Sequence, residues 1–257
     1  MKTSQFYTGL VADLYDEFVS YRAPVEFYAN LIRQAGEPAL ELGCGTGHPL
    51  LDLVEAGLNV HGLDSSRDML ARCEARARAR GLRISVYEQE MQDFTLPTRY
   101  RTIFLAGASF MLLSDDRDAE RTLQRIFHHL EPGGQAIIPL YIPPRSPEAE
   151  NATDQWQIRE RVRPSDGATL RVCERFHYDS ARQLRVSTLR YEVIQDGAIV
   201  QEVERAWLLR WYSQRQFHHL LHEAGFTSLR VLGEDGKPAP TDAPAFVFIA
   251  LRPPVSA

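Results

Sequence analysis

The sequence predicts an α/β fold built on one mostly parallel, seven-stranded sheet with a reversed last strand, and three observations carry that prediction. From Ala39 onward, short apolar strands alternate with helical stretches, the rhythm of a parallel sheet covered on both faces. The first strand runs directly into Gly43, Gly45 and Gly47 at alternate positions, ahead of a helix beginning near Pro49. The last two strands are joined by a segment rich in Gly, Pro and Asp, too irregular for a crossover helix, so the final strand should return antiparallel to its neighbours.

Residues 6 to 35 come first, with apolar residues at helical intervals: Leu10, Leu14 and Phe18, then Val25, Tyr28, Leu31 and Ile32, with a break near Arg22 and Pro24. Two helices are expected there. Strands follow near 38–42, 59–63, 83–88, 101–106 and 135–141, separated by helices near 49–57, 66–80 and 116–130. Pro49 suits a first helical position, where its missing N–H costs nothing. Leu130-Glu-Pro-Gly-Gly134 reads as a helix stop and turn before the fifth strand.

The rhythm then changes. After Pro143, Pro144 and Pro147, four stretches (156–162, 170–178, 184–194 and 199–211) are separated by turns at Ser165-Asp-Gly167, Asp179-Ser-Ala181 and Gln195-Asp-Gly197. Leu170, Val172, Phe176 and Tyr178 alternate with Arg171, Cys173, Arg175 and His177, and period two with Asp-Gly turns reads as an antiparallel meander. A helix over 214–224, stopped by Gly225, and strands 226–232 and 245–251 complete the chain. The expected organisation is therefore an N-terminal helical lid (1–37), a core from 38–142 and 213–257, and an antiparallel β insertion (143–212) large enough to roof the ligand crevice or to form a homodimer surface.

Composition sets bounds. With 257 residues and 44% hydrophobic content, the chain can bury a substantial core. A formal net charge of -5 gives no general attraction to nucleic acid or anionic membrane. Arg72, Arg76 and Arg80 fall on one helix face at four-residue spacing and read as a solvated surface. Three cysteines, Cys44, Cys73 and Cys173, form no C-x-x-C pair, which favours a reducing, cytoplasmic setting. The Met1-Lys-Thr-Ser start has no apolar signal core, and no run of about eighteen apolar residues occurs, so a soluble protein is expected. His218 and His222 are an i, i+4 pair, but no third ligand is placed by sequence, so no metal is expected.

The glycine loop narrows the function. G-x-G-x-G with no nearby lysine departs from both the dinucleotide fingerprint and the phosphate loop. Asn59-Val-His-Gly-Leu63 is a second apolar strand, closed by Asp64, and a carboxylate there can accept hydrogen bonds from both hydroxyls of a ribose. Glu41, Gly43, Gly45 and Gly47, followed by Asp64 one unit later, resemble the first two motifs of the class I S-adenosylmethionine (SAM) dependent methyltransferases. The resemblance spans about 38–141 and 213–252 and implies a Rossmann-like core that binds S-adenosyl-L-methionine.

That resemblance implies a set of cofactor-binding residues. Glu41, Gly43, Cys44, Gly45, Gly47 and His48 belong to the loop, and Asp64 and Ser65 to the end of the second strand, with Met69 on the helix that follows. Glu90 and Met91 take the adenine-facing positions after the third strand, Asp93 being a substitute for Glu90, and Ala106 ends the fourth strand. Tyr15 and Tyr21 come from the lid. Ser109, Phe110, Tyr141, Trp156, Arg210, Trp211 and Tyr212 are the candidates for an acceptor pocket, while no general base is assigned. The expected activity is methyl transfer to oxygen or nitrogen of a small molecule. A SAM-binding cyclase or isomerase, a non-catalytic SAM-binding module and a nicotinamide oxidoreductase are the alternatives.

Overall fold

The computed structural model describes residues 6–143, 155–233 and 236–255. Pro144 and Pro147 of the expected proline-rich break lie outside them. Two helices, α1 (Leu10–Phe18) and α2 (Val25–Ala35), precede the sheet. The core then alternates β1 (Ala39–Leu42), α3 (Leu50–Glu55), β2 (Val60–Asp64), α4 (Arg67–Ala79), β3 (Ser85–Glu88), β4 (Tyr100–Phe104), α5 (Asp116–His129) and β5 (Leu130–Tyr141), with a 3-10 helix at Ala108–Leu112 after β4. After β6 (Gln157–Val162), β7 (Thr169–Asp179), β8 (Leu184–Gln195) and β9 (Ala198–Arg210), the chain closes with α6 (Gln214–Glu223), β10 (Thr227–Leu232) and β11 (Ala245–Leu251).

The seven-stranded sheet has the order β10-β11-β5-β4-β1-β2-β3. β1 to β5 pair in parallel, and β11 runs antiparallel to both β5 and β10, so the reversed last strand is as the irregular 233–244 connection predicts. A parallel sheet must be buried on both faces, and strand alternation divides its side chains accordingly. Leu40 and Leu42 face a core shared with α5 and α6, whereas Ala39, Val60, Phe104 and Ile137 face α2, α3 and α4. Within the first core Phe110 and Phe217 meet edge to face at 5.0 Å. Both are fully buried, and a side chain of that kind contributes about 2 kcal/mol by leaving water.

The second sheet is a four-stranded meander, β6-β7-β8-β9, antiparallel throughout. Asp196 and Gly197 turn β8 into β9 with φ of 50° and 78°, the positive pair that a tight hairpin turn requires. One face of the meander packs Leu170, Val172, Leu189 and Val193 against Phe6, Val11 and Leu14, so α1 is held under the meander by a small core of its own.

Two local expectations are corrected. Leu130–Gly134 is the first part of β5 rather than a turn: Tyr100 pairs with Leu130 and Thr102 with Gln135, so a bulge absorbs the extra residues. Pro49 is the residue before α3, not its first helical residue, and it follows a cis peptide bond. No helix among the described residues is long and apolar enough to cross a membrane.

Candidate functional site

The carboxyl ends of β1 and β2 are tied together by the backbone. Gly43 and Cys44 both donate their N–H to the Leu63 carbonyl, at 2.7 and 3.0 Å, which folds the glycine loop over the end of β2. Asp64 closes that strand. Its Oδ2 accepts the Gly45 N–H and its Oδ1 the Ser66 N–H, each at 2.8 Å. An ionised carboxylate has about four acceptor positions, so each oxygen keeps capacity for a further donor. Burial pushes the Asp64 pKa up, opposed by those two backbone bonds. Ser66 caps α4, its Oγ accepting from Met69 N–H at 3.2 Å.

Glycine is required in this loop for two different reasons. A Cβ on Gly47, whose φ is 97°, would stand 2.8 Å from both Cys73 Sγ and Leu51 Cγ, so bare backbone is what lets α3 and α4 pack against the loop. A Cβ on Gly43 would instead meet Ser109 Oγ at 3.0 Å. That glycine lets Ser109 stand close against bare backbone at the strand end.

Three concavities meet beside this loop, two of them lined by its residues. The largest, about 770 Å³, lies between the N-terminal segment, the 3-10 helix, β5, β9 and β11. A second is lined by Gly43, Gly45, Asp64, Ser65, Met69, Glu90 and Met91, and a third by Tyr21, Arg22, Glu41, Cys44, Thr46, His48 and Ala106. Tyr15 and Ser109 line all three. A ligand bent at that junction can reach into two crevices while presenting its middle to the third.

The electrostatics differ between crevices. Glu41 is fully buried and its Oε2 has no hydrogen-bond partner among the described residues. Burial raises its carboxyl pKa well above the ordinary range, the neighbouring Cys73 and Asp64 add to the rise, and the Leu50 N–H opposes it. An unpartnered buried acceptor is costly, and a cationic ligand group would satisfy it. With Arg22 on the same wall, the third crevice is matched to a zwitterion. The Tyr15 hydroxyl is pushed up to about 12, by burial first and then by Asp64 and Asp16, so it remains a hydrogen-bond donor at neutral pH. Together the bare Gly43, the orphaned Glu41 oxygen and the strand-end Asp64 fit a nucleoside joined to an amino-acid tail.

The structure separates the expected acceptor-pocket residues into two groups. Ser109 and Tyr141 line the large cavity. Phe110, Trp211 and Tyr212 do not: they are buried in the core, where Phe110 and Tyr212 pack around Phe217 and Trp211 meets Tyr178. Arg210 turns away to pair with Asp116 at 2.9 Å. Trp156 sits between Arg175 and Arg190, 4.9 and 4.8 Å from its ring, on the meander face opposite α1. Of the remaining candidates, Gly47 lines none of the three concavities, and Asp93 is drawn off to Arg121. His48 keeps both ring nitrogens occupied, by Asp52 Oδ2 at 2.7 Å and the Ala23 carbonyl at 3.2 Å. Arg22 and Trp207 line the large cavity without having been singled out from the sequence. No cluster of three His, Cys, Asp or Glu side chains among the described residues could hold a metal ion.

Comparison with known proteins follows the same contour. A family profile described as a methyltransferase domain matches residues 39–134. The chain is 27% identical over 239 residues to dTDP-3-amino-3,4,6-trideoxy-alpha-D-glucopyranose N,N-dimethyltransferase of Streptomyces venezuelae, covering 89% of this chain and 93% of the relative. Among solved structures, a sugar N-methyltransferase from Streptoalloteichus superposes with a TM-score of 0.73 at 22% identity, covering 96% of this chain and 94% of that one. A SAM-bound amino pentose methyltransferase from Micromonospora echinaspora superposes with a TM-score of 0.64 at 21% identity, covering 96% and 98%. At these identities the structural likeness speaks for the fold.

Proposed function

We infer that this chain, a class I SAM-dependent methyltransferase, transfers a methyl group to the amine nitrogen of a small-molecule acceptor. The observation that carries this reading is the convergence of three crevices on Tyr15 and Ser109. The adenosine is assigned to the second crevice, with Asp64 accepting from the ribose hydroxyls, Glu90 facing the adenine amino group, and Met69 and Met91 flanking the base. The amino-acid tail is assigned to the third, its ammonium to Glu41 and its carboxylate to Arg22. The acceptor takes the large cavity, roofed by Trp207 and Leu209 of β9.

When bound, the cofactor supplies an electrophilic methyl on sulfur, which a neutral amine takes with its lone pair as the electrons of the S–C bond return to sulfur. The chain's own work is to hold the two partners in reach and exclude water. The described residues lining the large cavity include no Asp, Glu or His, and Tyr15 stays protonated. That wall offers no base to a hydroxyl acceptor, which would have to lose its proton. An amine needs none once it is neutral, and apolar surroundings favour the neutral form. The nitrogen chemistry named for the Streptomyces relative points the same way.

Incubation with methyl-labelled SAM and a panel of amines and alcohols tests the proposal. Formation of S-adenosylhomocysteine matched by label on nitrogen is the expected result. Label on oxygen would overturn the nitrogen assignment, and binding of SAM with no transfer to any acceptor would overturn the enzymatic one.

A further inference from the structure

We propose that the acceptor is an amine carried on an uncharged, largely apolar body, and not a nucleotide-activated amino sugar. This inference rests on the methyltransferase reading and deepens it to a substrate class.

The walls of the large cavity carry the argument. Aromatic rings from Tyr21, Phe27, Tyr141, Trp207 and Phe246 surround the space, with aliphatic side chains between them. Among its described lining residues Arg22 is the single formal charge, and it also lines the crevice where Glu41 stands. A diphosphate brought into such a space sheds water from at least two negative charges, and the neutral hydroxyls of the wall, Tyr15, Tyr141 and Ser109 among them, do not balance that charge without a cation. With Arg22 assigned to the cofactor's carboxylate, the described residues of this wall offer no further cation.

Among the described residues, the Arg185 guanidinium lies 5.8 Å from the ring centre of Trp207. Its charge is matched by Glu174 at 2.9 Å, and it stacks on Phe176 at 4.2 Å. It does not line the cavity. Aromatic faces, by contrast, suit a planar or apolar body through area burial, and they attract an ammonium product without needing a carboxylate.

The test uses the full chain loaded with S-adenosylhomocysteine and two probes in calorimetry, tryptamine and thymidine diphosphate. Tryptamine should bind at least tenfold more tightly, and with SAM in place of the product it should yield S-adenosylhomocysteine above the amine-free rate. Trp207→Ala should weaken tryptamine binding at least fivefold and Trp207→Phe should restore most of it, whereas SAM affinity should stay constant in both variants. Equal or tighter binding of thymidine diphosphate, preferred turnover of a thymidine-diphosphate amino sugar, or no binding of tryptamine would each overturn the proposal. SAM titrated alone keeps the two readings apart. If SAM fails to bind, the methyltransferase reading falls; if SAM binds and the nucleotide wins, only the acceptor class does.

Discussion

Arg76 on α4 is bonded to Asp16 on α1, a residue sixty positions earlier in the chain. Its other arm donates to Thr46 Oγ1 at 2.8 Å, and that hydroxyl donates to Asp16 Oδ1 at 3.0 Å. One helical turn back, Arg72 pairs with Asp13, and a further turn back Asp68 accepts the Gly9 N–H at 2.7 Å. The face of α4 expected to be a solvated surface is therefore the seat of the N-terminal helix, while Arg80 serves α3 through Asp52 and Glu55. Because α1 also carries Tyr15 across the junction of the three crevices, these contacts tie α1 to the glycine loop.

If α1 acts as a lid over the crevices, this arrangement predicts that its opening is electrostatically held. Each pair is partly exposed and individually weak, but Arg76 spans two elements at once. Arg76→Met should accelerate SAM release several-fold with little change in melting temperature, and it should reduce the dependence of that rate on salt. Stopped-flow displacement of SAM at low and high ionic strength measures both. An unchanged release rate would show that the apolar contacts of α1 with the meander are sufficient to hold the lid.

Asp64→Asn isolates the ribose assignment. Asparagine keeps one oxygen for Gly45 or Ser66, so the strand end should survive, while the charged acceptor is lost. Hydrogen bonds to a charged group contribute about 1.5–3 kcal/mol, which corresponds to a SAM affinity weakened by about 10- to 150-fold. Calorimetric titration of the folded variant, checked by its melting temperature, would read this directly. An affinity within twofold of the parent would remove Asp64 from the nucleoside site.

Glu41 gives a prediction with a definite sign in pH. Its carboxyl pKa is raised in the folded state above the ordinary value of 4.5, first by burial. The native state thus holds a proton that the unfolded chain releases, and the contribution to stability is full below 4.5 and is lost as pH rises through the folded value. Glu41→Gln should flatten that decline, leaving the ligand-free variant more stable than the parent at neutral pH. It should also weaken SAM binding, because the amide cannot pair with the cofactor's ammonium. In the parent, binding should release protons as the ammonium favours ionised Glu41, and calorimetry in buffers of different ionisation enthalpy detects that release.

How much of this was legible in the sequence depended on distance along the chain. The glycine loop, Asp64 and the reversed β11 are written in local patterns, since a strand-to-helix bend or a two-strand return involves only neighbouring residues. The large cavity is assembled from residues 7–28, 107–112, 139–141, 207–209 and 245–247, and no local pattern links those segments. Parity explains a further miss. Along β9, Trp207 and Leu209 point to the cavity, so Arg210 points away to Asp116, and Trp211 and Tyr212 lie past the strand, where the chain dives into the core toward α6. For the arginines of α4, four-residue spacing identifies a common face, but the sequence holds no signal that α1 covers it.

The rate of methyl transfer should follow the ionisation of the acceptor and not that of the protein. The described lining residues of the large cavity include no carboxylate or imidazole, and burial keeps Tyr15 protonated up to about 12. An amine acceptor must therefore enter as the free base, and kcat/KM should rise tenfold per pH unit until the amine's own pKa and then level off. Two amines of different basicity should show correspondingly different break points on the same enzyme. Tyr15→Phe should leave those break points in place while lowering kcat, since it removes a donor at the junction but no titrating base. A shared break point for both amines, displaced by Tyr15→Phe, would instead identify Tyr15 as the group that takes the proton.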